Sequence, residues 1–362
     1  MSGCPVQPIP EFWCFPAPPL RRIGLRVFGG GVNPVRMEPA GPFKRDPPAP
    51  HELRDRYTAT SDVVVLCHFG VPRLDRDLWS LTIDGLVERP LTVDFNALTA
   101  YPRTEVAAVH ECCGSPFDPL IPTRRVANVR WAGASLADIL ADCRPRPEAA
   151  YVWSYGADSG VFGGVEVDAY VKDLPLVRVP AGVLIAYELN GAPLPAEHGF
   201  PARLVVPGFY GTNSVKWLRR ITLTDRRAPG PLTSRWYQDV QLDAGGRPVG
   251  PPTPVWGIAP EALIVAPADG AAVDRGVTGE IWGWAWADGG VSSVEVHDGA
   301  GGWRQAQLEE ADTAQWQRFW AEWTPGSVGD IELTARATSI SGARQPMTGR
   351  RNAVHRVVVA VR

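Results

Sequence analysis

GVLIAYELNGAPLPAEHGFPARLVVPGFYGTNSVKWLRRITL, residues 182–223, contains three runs rich in β-branched and apolar residues: GVLIAYELNG, ARLVVPG and RRITLT. Gly, Pro and Asn fall between them, so the stretch reads as strands joined by turns. In and around these strands lie His198, Arg203, Ser214, Val215 and Lys216. Working back toward the N-terminus, SDVVVLCHF, WSLTIDGLV, EVAAVHEC and YVWSYG repeat the strand pattern from about residue 60. Helix is sparse. Its clearest case is SLADILADC, where Ser135 can cap and Leu136, Ile139 and Leu140 share a face.

The ends of the chain differ from this middle. Residues 1–55 hold twelve of the 36 prolines, including PAPP and PPAP, and are expected to form an extended arm. After residue 225 the segments RRAPGP, DAGGRP and GPPTP read as a surface connection, closing a domain over 56–257. From 258 to 362 short alternating strands separated by Gly, Asp and Ser turns predict an all-β sandwich. Trp282, Trp284 and Trp286 alternate with Gly283 and Ala285, which puts the three indoles on one sheet face, for packing or for a subunit interface.

A length of 362 residues exceeds one ordinary core, and 45% hydrophobic with 21% charged residues is a folded composition. The net charge of -3 supplies no general field for nucleic acid. Six cysteines stop at residue 143, unlike a secreted disulfide framework. No apolar run approaches the roughly 18 to 20 residues needed to span a bilayer, and Arg21-Arg22 lacks the apolar stretch of an export signal. A cytoplasmic protein without a membrane partner is expected.

VHECCGSP, residues 109–116, places Cys112 where a strand runs into a Gly-Ser-Pro turn. A thiolate there suits a soft or high-valent metal, whereas a buried structural cysteine only packs. Cys113 points to the opposite strand face, so at most one of the pair is a ligand.

The 182–223 stretch closely resembles the molybdopterin-binding segment of sulfite oxidases and eukaryotic nitrate reductases. The likeness continues through VVLCHFGVP, HECCG, WAGASLADIL and YGADSG. GWAWADGG and the terminal VHRVVVAV resemble that family's C-terminal dimerisation domain, so about residues 60–362 are covered. The resemblance implies an α+β molybdopterin-binding domain of the sulfite-oxidase type followed by an all-β immunoglobulin-like sandwich, assembled as a homodimer. It implies Cys112 as the metal ligand, in a loop altered to Cys113, Gly114 and Ser115. It also implies that His68, Asp158, His198, Arg203, Ser214, Val215 and Lys216 hold the molybdenum–molybdopterin cofactor (Moco). Such a flat, anionic ligand needs fixed cations and amide donors, which Arg203 and Lys216 and the turns at Gly208 and Gly211 can provide.

Three positions depart from the pattern. Two arginines and a tyrosine that bind the anion in sulfite oxidases fall at Leu66, Pro116 and Phe162. A dianion without charged partners is disfavoured, so the substrate is expected to be another small oxo-anion or sulfur compound. Replacement contacts are sought among His110, Arg124, Arg125 and Tyr210, with His110 and Tyr210 the catalytic candidates beside Cys112. The expected reaction is oxygen-atom transfer, with electrons passing to an external acceptor, since no CxxCH haem motif or iron–sulfur pattern is present. The alternatives are a sulfite dehydrogenase or oxidase with a rebuilt anion pocket, and a non-catalytic molybdopterin-binding protein.

Overall fold

A computed structural model describes residues 35–114, 124–240, 243, 247–299, 301–310, 314–347 and 351–362. Two sheets form the first domain. One runs in the order Val171–Pro175, Tyr151–Gly156, Leu218–Thr224, Ser80–Gly85, Leu91–Asp94, antiparallel except where Leu218–Thr224 lies parallel to Ser80–Gly85. The other runs Ala192–Pro193, Leu184–Leu189, Val126–Ser135, Arg103–Glu111, with Arg203–Val205 also on Leu184–Leu189. Leu81, Ile83, Ile185, Leu204, Ile221 and Leu223 meet in the core between these sheets.

The helix over Leu136–Cys143 closes that core. Ser135 Oγ accepts the Asp138 amide at 3.4 Å, and Leu136, Ile139, Leu140 and Cys143 are buried. One capping oxygen and one apolar face are what its sequence offers.

Residues 35–55 of the segment expected to form an arm belong to the fold. Met37–Ala40 pairs with Gly70–Pro72, and Phe43–Arg45 pairs with Val65–Cys67. Proline density masks these strands in the sequence, because proline is tolerated at edges where its missing N–H is not needed.

Beyond residue 258 a four-stranded sheet, Glu261–Ala266, Gly279–Trp286, Gln317–Trp323, Gln307–Leu308, faces a five-stranded one. The second is ordered Ala272–Val273, Arg356–Val361, Gly329–Ser339, Val291–His297, Arg304–Gln305. Ile264, Ile281 and Phe319 from one sheet meet Val294, Leu333 and Val357 from the other. Trp284, Trp286 and Trp316 lie on the outer face of the four-stranded sheet, in a cluster with Val109, Cys113, Val126 and Tyr210 of the first domain. The strand Gly279–Trp286 is therefore covered on both faces, which is why IWGWAWA contains no charge. The indoles of Trp284 and Trp286 pack against the other domain of the same chain, and Trp282 stands edge-on to Trp284 at 5.9 Å.

Candidate cofactor and metal site

The strand Arg103–Glu111 pairs with Val126–Ser135 along nine residues, and Cys112 follows as it ends. The Cys112 amide donates to Arg125 O at 2.9 Å, and its Sγ accepts the Gly114 amide at 3.4 Å. Cys112 is partly exposed while Cys113 is buried. A hydrogen bond from the Cys113 thiol, with the Gly114 amide and the Arg125 guanidinium, pulls the Cys112 thiol down to about 6 against its burial. The Cys113 thiol, as the donor of that bond and buried, is pushed well up. The two thiols thus part, Cys112 partly exposed and acidified and Cys113 buried in the domain interface.

A cluster of cations and neutral imidazoles adjoins this turn through His110, which feels the charges of Arg203 and Lys216. Arg203 starts its own strand. From there its guanidinium donates to His198 O at 2.9 Å and Ser214 O at 2.8 Å, over the Trp131 ring. Lys216 Nζ reaches Leu66 O, Glu197 O and Cys67 Sγ, each at 3.0 Å. Neither cation forms an ion pair with a carboxylate among the described residues; the nearest acid, Asp158, is pushed up to about 7 by burial. Burial and these cations hold His68 near 4 and His198 near 3, and lower His110 as well.

Neutral imidazoles fix the hydrogen-bond directions. Burial keeps the Tyr237 phenol protonated, and its hydroxyl shares a hydrogen bond of 2.5 Å with His68 Nε2. Arg45 donates to His198 Nε2 at 3.1 Å. In the neutral His198 ring Nδ1 therefore carries the proton and is left as a donor.

The backbone here has no spare room. A Cβ on Gly156 would stand 2.3 Å from Asp158 Oδ1 and 2.9 Å from Lys216 O. One on Gly211 would stand 2.9 Å from the His110 ring. Gly208 serves elsewhere: its turn, at φ +78°, faces the Arg178–Asp288 ion pair between the domains rather than the pocket.

His68, His110, Asp158, His198, Arg203 and Lys216 thus share one region with Cys112, while the other expected residues are committed to the fold. Ser214 Oγ accepts the Val206 amide at 3.0 Å, and Val215 is a core residue. Tyr210 corrects the catalytic reading. Its hydroxyl donates to Asn352 Oδ1 and accepts the Ala259 amide, both at 3.1 Å, so it tethers the two domains instead of meeting a substrate. Arg124 likewise pairs with Glu261 of the second domain at 3.0 Å. Arg125 stays by the Cys112 turn, held by Gly114 O and Asp46.

Leu66 is at the rim, 36% exposed, and Phe162 stands edge-on to His68 at 4.6 Å. Pro116 lies outside the described residues. Arg45, Tyr170, Lys172, Tyr237 and Arg351 are site neighbours that sequence reasoning missed. Tyr170 and Lys172 carried a signal, because they are two residues apart where the chain enters the strand Val171–Pro175, the spacing of one strand face.

Among the described residues no three His, Cys, Asp or Glu side chains converge to hold a metal. A metal at Cys112 would therefore bring further ligands of its own. A buried field of uncompensated positive charge with imidazole donors fits a flat anionic cofactor.

The family described as oxidoreductase molybdopterin binding domain matches residues 68–232. Rat mitochondrial sulfite oxidase is 30% identical over 344 residues, which is 87% of this chain and 62% of that protein. Chicken sulfite oxidase is 30% identical over 349 residues, 86% of this chain and 73% of that one. The sulfane dehydrogenase SoxCD of Paracoccus pantotrophus superposes with a TM-score of 0.73 at 26% identity, covering 86% of this chain and 85% of that one. Set beside the Cys112 turn and the Arg203–Lys216 pocket, these matches show that the chain belongs to the sulfite oxidase family of molybdopterin oxidoreductases.

Proposed function

We propose that the protein transfers an oxygen atom to or from a small sulfur compound at a molybdenum cofactor, and exchanges the electrons with an external acceptor. The observation that carries this reading is the acidified Cys112 thiol, partly exposed where the other described cysteines are buried, beside a buried cluster of cations. Cys112 would ligate the metal, and Arg203, Lys216, His68, His198 and His110 would hold the pterin and its phosphate. When bound, that group supplies two-electron oxygen-atom transfer. The protein's own part is to fix positions. Arg203 and Lys216 supply charge, His198 presents an Nδ1 donor, His68 adds a neutral ring, and the walls of Phe162, Tyr170 and Trp236 exclude water.

Leu66 and Phe162, without charge at the rim, support a sulfur substrate other than the sulfite dianion. A sulfite dehydrogenase with a rebuilt anion pocket is the second reading, favoured by Arg125 beside Cys112. The outer sandwich would be immunoglobulin-like and mediate a homodimer, which sedimentation at micromolar concentration tests. Metal and pterin analysis tests the main reading: wild type should carry molybdenum near one per chain, and Cys112→Ser should lose it while Cys113→Ser keeps it. Absence of both metal and pterin from wild type overturns the reading; full occupancy without turnover of any oxo donor or acceptor makes this a binding protein.

A further inference from the structure

Lys172 is the buried cation that the site described so far does not use. It is 1% exposed, on the strand Val171–Pro175, and its face is shared with Tyr170 two residues earlier. Its Nζ donates to Leu232 O at 3.1 Å and lies 4.9 Å from the centre of the Tyr237 ring. That is one hydrogen bond for three N–H donors among the described residues. The neighbouring Asp173 does not answer it, because that carboxylate is taken by Arg227, at 2.9 and 3.1 Å, and by the Ala228 amide.

Lys172 is close enough to the Cys112–Cys113 turn for its charge to act on the Cys113 thiol. Tyr237, on which it rests, touches His68 and takes the left-handed φ of +57°, which a tyrosine adopts only where the surroundings hold it. Of the other cations in the region, Arg203 and Lys216 spend their donors on backbone carbonyls and Cys67 and are assigned above to the cofactor, and the two arginines nearest the turn have carboxylate partners. Arg125 pairs with Asp46 at 3.4 Å and Arg351 with Asp239 at 2.7 Å. A buried ammonium with unused donors is costly unless a ligand oxygen takes them.

We infer that Lys172 is the anion-binding group of this site and that its ligand is a small sulfur-oxo monoanion, such as an alkyl sulfinate or sulfonate. The inference rests on the function proposed above and supplies its substrate class. With Arg203 and Lys216 assigned to the cofactor, Lys172 leaves one charge for the substrate, which balances one negative charge. A dianion buried here would keep half its charge unanswered. The aromatic wall of Tyr237, Tyr170 and Phe162 suits a ligand whose remaining surface is apolar.

The test is calorimetric titration of purified holoenzyme with methanesulfonate and, separately, with sulfate at pH 7, on wild type, Lys172→Met and Lys172→Arg. Methanesulfonate should bind wild type more tightly than sulfate. Lys172→Met should weaken it about 10- to 100-fold, the value of one charge-assisted contact, with Lys172→Arg between the two. Equal binding by Lys172→Met, or sulfate preferred tenfold by wild type, overturns the inference.

Should Lys172→Met fail to fold, wild type decides alone. Burial lowers Lys172 to about 8, so affinity should fall as pH rises from 7 to 9; a flat profile overturns the inference. Of the groups facing it, Tyr170, Tyr237 and Cys113 are raised and His68 is neutral from about pH 4 upward, while Asp173 is held in an ion pair with Arg227. Molybdenum and pterin are assayed on the same samples. Their absence from wild type sinks the functional reading, whereas metal present with unchanged anion binding in Lys172→Met sinks this inference alone.

Discussion

Trp286→Phe removes one hydrogen-bond donor at the boundary between the domains. The indole Nε1 of Trp286 donates to Glu111 Oε2 at 2.8 Å, and Glu111 immediately precedes Cys112. Glu111 is fully buried, and the remaining contact to that oxygen, from Asn352 Nδ2, is 3.4 Å long. Leaving a buried carboxyl oxygen with so weak a partner costs about 1–3 kcal/mol. The smaller ring also leaves a void of roughly 35 Å³, which at about 24 cal/mol per Å³ adds about 1 kcal/mol. A loss of about 2–4 kcal/mol is expected.

The pH dependence of that loss has a definite sign. Burial and the neighbouring Glu261 raise Glu111 well above the usual carboxylate range, and burial raises Glu261 too. Glu111 Oε1 and Glu261 Oε2 find no ordinary donor among the described residues, and one proton shared between the two carboxyls answers both. Groups raised in the folded state contribute stability below their unfolded pKa, and this is lost as pH rises through the folded values. Trp286 favours the charged form of Glu111, so its removal should cost more at pH 8 than at pH 5. Urea unfolding followed by tryptophan fluorescence at both pH values, with the double mutant Trp286→Phe, Glu111→Gln, measures this. A penalty below about 0.5 kcal/mol, or additive single effects where contacting residues normally couple, refutes the reasoning.

Gly156→Ala should reduce cofactor content several-fold with near-wild-type circular dichroism, because its Cβ would meet Asp158 Oδ1 at 2.3 Å and the Lys216 carbonyl at 2.9 Å; unchanged pterin content would refute the close fit. The His68 ring should stay neutral in nitrogen NMR down to about pH 4, and a ring charging near 6.5 would contradict its burial. Because its folded pKa lies below the unfolded value, His68 contributes stability that is fully present above pH 6.5 and lost as pH falls to about 4, at most about 3 kcal/mol. Arg45→Met removes the donor to His198 Nε2 and the 3.6 Å pairing with Glu197, so pterin should be retained less through gel filtration; equal retention would make Arg45 a surface charge.

The strands were legible where one face is wet, as in Ser80–Gly85, whose exposed and buried residues alternate. Alternation fails where both faces are covered. Val126–Ser135 is buried at eight of its ten residues, so its sequence shows a strand without showing what either face meets. The site was half legible for a related reason. Cys112, Arg203 and Lys216 sit in a long ordered motif, whereas Tyr237, Lys172 and Arg45 come from a connection, a strand interior and a proline-rich lead, and only folding brings them together. Tyr210 misled because an aromatic hydroxyl in a motif looks chemical, and its partners Asn352 and Ala259 are distant in sequence.

That distance explains what the second domain contributes. The Cys112 turn is fixed from inside its own domain by the Glu111–Val126 pairing and the Arg125 carbonyl. It is fixed from outside by Trp286 on Glu111 and by the Arg351 guanidinium on the Cys113 carbonyl. A thiolate placed by a hairpin end alone would sit on a segment free to fray, and a metal ligand must hold its position to a fraction of an ångström. The tryptophan-rich sheet is therefore the outer wall of the Cys112 loop, the loop proposed above to hold the metal. Substitutions at Trp286 or Arg351 should change metal retention before they change the fold of the sandwich that carries them.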